Sequence, residues 1–268
     1  MILVLAGTAD AREIIRALKK AGYRVAASTI SAYGARLAGE AGADKIHEGP
    51  LGGEGLGLLL RELDIQAVVD ATHPFAREIT RIAAQVCQEK GLPYFRYQRP
   101  AVQLPGHPDL LLAADFKAAA RLASRGQVIF LTIGTRHLEV FTASPHLAGR
   151  RLVARVLPEE ASLARCRQLG FLPRDIVALQ GPCSYELNQA LYRQFQAEVV
   201  VTKDSGSTGG VTAKVQAALD LGLTVVVIRR PPEPDSLPLG RILELLREDD
   251  NGYGYYFTGP RQPHTGGQ

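Results

Sequence analysis

The chain has 268 residues, of which 46% are hydrophobic and 22% charged, enough for one large globular domain or two modest ones. Its net charge of +4 comes without a Lys/Arg block, and aromatic residues make up only 6%, which argues against a nucleic-acid-binding protein. The N-terminal apolar run stops at Gly7, too early for a signal peptide, and no later run approaches the roughly 20 apolar residues of a membrane-spanning helix. We therefore expect a cytoplasmic protein, a monomer or small homo-oligomer, with no nucleic-acid or membrane partner.

Apolar runs typical of strands alternate with helical patterns along almost the whole chain. The predicted strands, in chain order, are 2–5, 24–28, 45–47, 67–70, 93–97, 128–132, 152–156, 176–179, 199–202 and 224–228. The clearest helical patterns are 9–20, 76–90, 212–221 and 239–247. Strands rich in Val and Ile without polar alternation are buried on both faces, so the pattern predicts an α/β fold with mainly parallel sheets flanked by helices.

A weak internal repeat predicts two Rossmann-like lobes. Residues 67–70 and 199–202 each lead through a loop and a helix to a second strand. In both copies a glycine before that strand lies eight residues ahead of an arginine that follows it: Gly91 and Arg99, Gly222 and Arg230. The alternative is one doubly wound sheet with insertions.

The domain boundary is predicted in the proline-rich stretch after Pro100. Residues 1–104 would form an N-terminal Rossmann-like lobe, the candidate for nucleotide binding. Residues 105–248 would form a second such lobe, with the active site in a cleft between the two. Residues 249–268, rich in Gly, Pro and Tyr without periodicity, are predicted to be a flexible tail.

Gly7 and Thr8 lie between the first predicted strand and the helix that begins at Ala9. Gly7 permits a tight turn and Thr8 is the predicted N-cap, so the backbone N–H groups and the helix dipole favour an anion there. The full Gly-x-Gly-x-x-Gly pattern is absent, and Asp10 in the first helical turn would repel a pyrophosphate. As a nucleotide signal this junction is weak by itself.

The end of the second strand carries hydroxyls where NAD-binding folds carry an acid. Ser28 and Thr29 lie there, with Arg36 further on. If a nicotinamide cofactor binds, hydroxyls and a nearby arginine suit the 2′-phosphate of NADPH. The alternative is that Ser28 and Thr29 simply end a strand.

Asp70, Thr72 and His73 follow the fourth strand. Asp70 ends a buried strand, so its carboxylate is expected at the edge of the sheet where ligands bind. His73 precedes a proline that can open the next helix. An Asp and a His so placed could position or protonate a substrate, although helix capping and loop closure would use the same residues.

Three strand-to-helix loops of the second lobe carry polar side chains. The loop 201–210 crowds Lys203, Asp204 and hydroxyls beside three glycines, more than a passive turn needs. The loop 181–186 contains Ser184 and Tyr185, and the loop after strand 128–132 offers Arg136 for a carboxylate. We expect these loops to bind a ligand. The cysteines Cys87, Cys166 and Cys183 have no paired metal-ligand spacing, so no metal site is expected.

Together these motifs resemble the precorrin-6A reductase family, including its cobalt-precorrin branch. The matching runs occur in the family's order over residues 1 to about 231, at 7–12, 68–76, 96–100, 131–134, 181–184 and 201–206. The Asp-Ala-Thr-His-Pro-Phe run from Asp70 and the Thr-Lys-Asp-Ser-Gly run from Thr202 are the most specific. Ala6 stands where many members carry a second glycine, and Asp10 where many carry Glu.

The resemblance implies NADPH-dependent reduction of one ring double bond of precorrin-6A or cobalt-precorrin-6A during cobalamin biosynthesis. Candidate catalytic residues, which could relay a proton, are Asp204, Lys203 and His73. Candidate cofactor-binding residues are Gly7, Thr8, Ser28, Thr29, Arg36 and Thr72. Candidate residues for the substrate and its carboxylate arms are Asp70, Arg77, Arg99, Arg136, Ser184, Tyr185, Ser205 and Gly206. The alternatives are a non-redox two-lobed module that binds a nucleotide or a tetrapyrrole, and a transferase of similar fold, for which the sequence shows no signature.

Overall fold

The computed structural model describes residues 1–233 and 235–250, which divide into two compact units. Unit 1 consists of Met1–Pro100 together with the described residues from Pro231 onward, and unit 2 of Ala101–Arg230. Each unit has its own helix-flanked parallel sheet, as the internal repeat predicted.

Unit 1 contains a five-stranded sheet. In chain order its elements are β1 (Ile2–Leu5), α1 (Ala9–Lys20), β2 (Val25–Thr29), α2 (Ala32–Glu40), β3 (Lys45–Glu48), α3 (Gly53–Glu62), β4 (Ala67–Asp70), α4 (Arg77–Lys90) and β5 (Tyr94–Arg96). The strand order is β3-β2-β1-β4-β5, and every pair is parallel.

The first helix of unit 1 shows how the sequence specifies these layers. Thr8 accepts a hydrogen bond from the backbone N–H of Ala11, which caps the helix as predicted. Ile14, Ile15 and Leu18 recur at helical spacing, and all are buried against one face of the sheet. Helices α3 and α4 cover the opposite face of the sheet.

Unit 2 contains a six-stranded parallel sheet. Its elements are β6 (Leu110–Ala113), α5 (Phe116–Ala123), β7 (Val128–Leu131), α6 (Leu138–Thr142), β8 (Arg151–Val156), α7 (Glu160–Gln168), β9 (Ile176–Ala178), α8 (Tyr185–Gln194), β10 (Val199–Lys203), α9 (Val211–Leu219) and β11 (Thr224–Ile228). The strand order is β6-β11-β10-β7-β8-β9. Helices α8 and α9 bury an apolar cluster against one face of it.

All ten strands predicted from the sequence are present, and none of their ends differs by more than one residue. The prediction missed β6, which pairs with β11 and whose side chains are mostly half-buried or exposed. A short strand of this kind at a sheet edge lacks the long, fully buried Val/Ile run by which the other strands were recognised.

The C-terminal helix α10 (Leu239–Asp250) corrects the predicted division of the chain, which placed residues 105–248 in the second lobe. Ile242, Leu245 and Leu246 of α10 are buried in the same apolar cluster as Ile14, so this helix belongs to unit 1. Asp249 and Asp250, predicted to begin the tail, end this helix, and the remainder of the predicted tail, 251–268, lies outside the described residues. In the part of the chain that is described, no helix is both long and apolar enough to cross a membrane.

Candidate functional site

The strand order of unit 1 reverses between β1 and β4. The chain runs outward from β1 through β2 to β3, then returns to place β4 on the other side of β1. Ligands of open α/β sheets bind beyond the carboxyl ends of the strands at such a reversal. The loops after β1 and β4 meet here, where the Thr8 hydroxyl donates to the Ala71 carbonyl at 3.0 Å.

Gly7 and Thr8 form an open turn at this edge. Gly7 has φ +112°, a conformation that favours glycine, and no atom lies within 4 Å of the position that a Cβ would occupy. Thr8 uses its hydroxyl internally, since the oxygen also accepts from the N–H of Ala11 and from Arg99. The open backbone of the turn, and not the Thr8 side chain, is therefore what can approach a phosphate.

Asp70 lies inside unit 1, although the sequence predicted a contact with the substrate for it. Its side chain has no exposed area and pairs with the Arg96 guanidinium at 2.7 Å. The Tyr94 hydroxyl donates to the other carboxylate oxygen at 2.7 Å, and burial together with Asp70 raises the pKa of Tyr94 well above its ordinary value. Thr72 donates to Asp70 from both its backbone N–H and its hydroxyl, while Glu233 pairs with Arg96. This buried network holds the loop after β4 in place.

Arg99 is likewise internal, although the sequence predicted a contact with a carboxylate arm of the substrate for it. Its side chain is 3% exposed and forms an ion pair with Asp10, which is 4% exposed. Its Nη2 donates to the Thr8 hydroxyl and to the Ala71 carbonyl, each at 3.1 Å.

The end of β2 borders the same edge, because β2 pairs with β1. Ser28 and Thr29 are buried, and the Thr29 hydroxyl donates to the Ser31 carbonyl at 3.3 Å. Arg36 lies on α2 with an exposed guanidinium that pairs with Glu40 at 3.0 Å. The loop carries no acid, so nothing in residues 28–31 would oppose a 2′-phosphate.

His73 and Arg77 lie between β4 and the first turn of α4. The Nδ1 of His73 accepts from the backbone N–H of Phe75 at 3.3 Å, and the two rings lie 5.6 Å apart. The helix begins at Arg77, not at the proline after His73. Arg77 is exposed in the first helical turn, where its charge is available to a ligand.

Unit 2 has its own chain reversal, between β7 and β10. The chain passes from β7 outward to β8 and β9, then returns to β10 beside β7. The loops after β7 and β10 therefore share one edge, and they bring Arg136, His137 and Lys203 close together. Burial, followed by the charge of Arg136, lowers the pKa of Lys203 to about 8. Burial and both cations also lower the pKa of His137, whose ring stacks on Phe116.

An ion pair stabilises the loop after β10, and a glycine permits its turn. Arg230 donates to both carboxylate oxygens of Asp204, at 2.9 and 3.0 Å. Ser205 and Gly206 are buried in the turn, and Gly206 has φ +79°. The sequence indicated a crowded loop here, but it assigned no partner to Asp204.

Ser184 and Tyr185 begin α8, and both have internal partners. Ser184 is the N-cap and accepts from the N–H of Leu187 at 3.2 Å. The Tyr185 hydroxyl donates to Asp220 at 2.6 Å, and this hydrogen bond is the main reason why the pKa of Tyr185 is raised. These local contacts account for the presence of both side chains, and neither needs a ligand to explain it.

Sequence reasoning missed Lys214, which lies beneath the loop that follows β10. It is 8% exposed, and its ammonium donates to the Gly209 carbonyl at 2.8 Å. Burial, with Arg155 and Lys203 nearby, lowers its pKa to about 7. A usable signal was present, because Val211, Lys214 and Val215 share the buried face of α9 and a lysine there breaks the apolar pattern.

Comparisons with known proteins agree with the motifs. Residues 1–247 match the family model described as precorrin-6x reductase CbiJ/CobK. A cobalt-precorrin-6A reductase of Priestia megaterium is 40% identical over 233 residues, covering 86% of this chain and 91% of the relative. A precorrin-6A reductase of Mycobacterium tuberculosis is 38% identical over 237 residues, covering 87% and 90%.

A solved structure described as CobK precorrin-6A reductase is similar along its length. The TM-score is 0.73 at 28% identity, with 97% of this chain and 99% of the other covered. The chain therefore belongs to the precorrin-6x reductase CbiJ/CobK family and is a reductase of cobalamin biosynthesis.

Proposed function

We propose that this chain catalyses the NADPH-dependent reduction of one ring double bond of precorrin-6A or its cobalt form. The observation that carries the proposal is the open turn at Gly7, at the chain reversal of unit 1, beside a second strand that ends without an acid. Family membership supplies the class of reaction. The absence of an acidic residue at the end of the second strand favours NADPH over NADH.

A reductase of this family uses a reduced nicotinamide cofactor, and the residues of unit 1 fit one. The backbone of the Gly7–Thr8 turn would approach the pyrophosphate. Ser28, Thr29 and Arg36 would lie nearest the 2′-phosphate, with the Arg36 guanidinium leaving its exposed pair with Glu40. Exposed ion pairs of this kind contribute about 0–1 kcal/mol, so a phosphate can displace Glu40. When bound, NADPH supplies the hydride.

The chain's own residues would supply the proton that the reduced ring requires. A general acid works best when its pKa lies near the operating pH, and Lys203 meets this condition with a pKa of about 8. Asp204 would orient the loop through Arg230, because both of its carboxylate oxygens are already bound. His73, on the loop after β4, is the other candidate donor. Arg77 and Arg136 are exposed and suit carboxylate arms of the substrate.

NADPH absorbance, followed in parallel with metal-free and cobalt-bearing precorrin-6A, tests the function. We expect oxidation of NADPH with at least one of the two, and the faster substrate identifies the branch. Tight binding of precorrin without any oxidation would favour the non-redox module instead.

Affinity for NADPH and NADH tests the choice of cofactor. A charge-assisted contact to the 2′-phosphate contributes about 1.5–3 kcal/mol, so NADPH should bind about ten-fold or more tightly. Arg36→Met should reduce this preference without changing the affinity for NADH. The matched control, Arg61→Met, removes an arginine in the last turn of α3 and should leave both affinities unchanged. Equal affinities in the parent chain would refute the choice of NADPH.

A further inference from the structure

Asp10 poses an electrostatic problem for the proposed cofactor site. It lies in the first turn of α1, two residues after Thr8, and its side chain is only 4% exposed. A carboxylate near a helix N-terminus stabilises the helix, but it also competes with a phosphate for the same positive end of the dipole. A buried carboxylate without a counter-charge would repel a pyrophosphate at the Gly7–Thr8 turn.

Arg99 supplies the counter-charge from a segment 89 residues away in sequence. Its Nε pairs with Asp10 Oδ2, and its Nη2 donates to the Thr8 hydroxyl and to the Ala71 carbonyl. One guanidinium thus joins the turn after β1, the first turn of α1 and the loop after β4. The first of these three segments is the turn whose backbone we propose approaches the pyrophosphate.

We propose that Arg99 is a positioning residue for cofactor binding, which acts through Asp10 and Thr8 and not by touching a ligand. It cancels the charge of Asp10 and fixes the Thr8 hydroxyl, so the backbone N–H groups of the turn face a phosphate without opposition. This inference rests on the proposed function, because it concerns the same cofactor. At 3% side-chain exposure, Arg99 has almost no surface with which to contact the cofactor or the substrate directly.

The geometry requires arginine specifically. The Nε and Nη2 of Arg99 point to partners on different segments, which the planar guanidinium reaches at once. A lysine in its place would neutralise Asp10 but would not hold Thr8 and Ala71 in the same arrangement. Arg99→Lys should therefore keep part of the effect.

The test is a double-mutant cycle read as the dissociation constant of NADPH, measured by its fluorescence without any tetrapyrrole. Arg99→Met should weaken NADPH binding about ten-fold or more, because a charge-assisted contact is lost and a buried charge is exposed to the phosphate. Adding Asp10→Asn should restore part of the lost affinity, so both this double variant and Arg99→Lys should fall between the parent and Arg99→Met. Asp10→Asn alone should bind no more weakly than the parent.

Arg96→Met is the matched control, since it also removes a buried, ion-paired arginine of unit 1. Adding Asp10→Asn to Arg96→Met should restore nothing. Melting temperatures measured in parallel separate loss of folding from loss of binding. If Arg99→Met does not fold, the Asp10→Asn/Arg99→Met variant decides the matter, because its affinity is expected to be close to that of Arg99→Lys, in which the charge of Asp10 is also cancelled.

Three results would overturn the inference while the proposed function stands. These are NADPH binding by Arg99→Met as tight as in the parent, no recovery of affinity in the double variant, and an increase by Arg99→Met in the KM for precorrin alone. The last result would mean direct contact with substrate. A parent chain that binds neither NADPH nor NADH would refute the proposed function and this inference together.

Discussion

Replacing Lys214 by Met should make the protein more stable, and the gain should depend on pH. Lys214 is 8% exposed, and its pKa falls from 10.5 to about 7 because burial, together with Arg155 and Lys203, disfavours the ammonium. Since the pKa of the folded state lies below that of the unfolded state, folding carries a cost at low pH. This cost is fully present below pH 7 and disappears as the pH rises through about 10.5.

The size of the effect follows from the shift. A difference of about 3.5 units corresponds to about 5 kcal/mol at pH 6, and the cost falls to about 2 kcal/mol at pH 9. The hydrogen bond from Lys214 to the Gly209 carbonyl, lost in the variant, offsets about 2 kcal/mol of the gain. Lys214→Met should therefore stabilise the fold by about 3 kcal/mol at pH 6 and by almost nothing at pH 9.

Thermal unfolding at pH 6 and pH 9 measures this difference. For a chain of this size, about 3 kcal/mol corresponds to about 6–12 °C in Tm. The control is Lys117→Met, which removes an exposed lysine of α5 in the same unit and should shift Tm little at either pH. The reasoning fails if Lys214→Met is less stable than the parent at pH 6, or if its advantage is the same at both pH values.

The remaining predictions concern the ligand-binding edges of the two units. Because the pKa of Lys203 is about 8, kcat/KM should decline as the pH rises through that value, and Lys203→Met should remove the decline. A decline that persists in the variant would assign it to another group. Asp204→Asn should lower kcat about 10²-fold because the Asp204–Arg230 pair positions the loop, and Arg230→Met should match it; unchanged turnover in both would contradict this role of the pair. Arg96→Met should cost about 3–5 kcal/mol in urea unfolding, because it leaves buried Asp70 unpaired, and a loss below about 1 kcal/mol would contradict the network.

The strands that form the cores of the two units were predictable, because each is marked by a short run of apolar residues in the sequence. Runs such as 67–70 and 199–202 contain apolar side chains without alternation, so they had to be strands covered on both faces. Once those strands are parallel, the loops at their carboxyl ends lie at the ligand-binding edge wherever the chain reverses. The turn at Gly7 and the loop at Lys203 were therefore found as candidates from sequence, and both lie at such an edge.

The roles of the charged residues were not predictable in the same way. Asp70 ends a strand and Arg99 follows one, and the sequence predicted that both would contact the substrate. In the structure each has a buried partner that the fold brings close: Arg99 pairs with Asp10, 89 residues away, and Asp70 pairs with Arg96, 26 residues away. A local pattern reports whether a position is buried, but not which opposite charge accompanies it there.

The sequence by itself determined the α/β class, the two sheets and the loops that could bind a ligand, because periodicity and glycine turns act over a few residues. Only the tertiary structure decided which side chains remain available at those loops. It also decided that α10 packs in unit 1, since the apolar face of an amphipathic helix can cover either sheet equally well. Ion pairs and helix docking depend on distances between segments far apart in the chain, and those distances are set only when the strands have found their order.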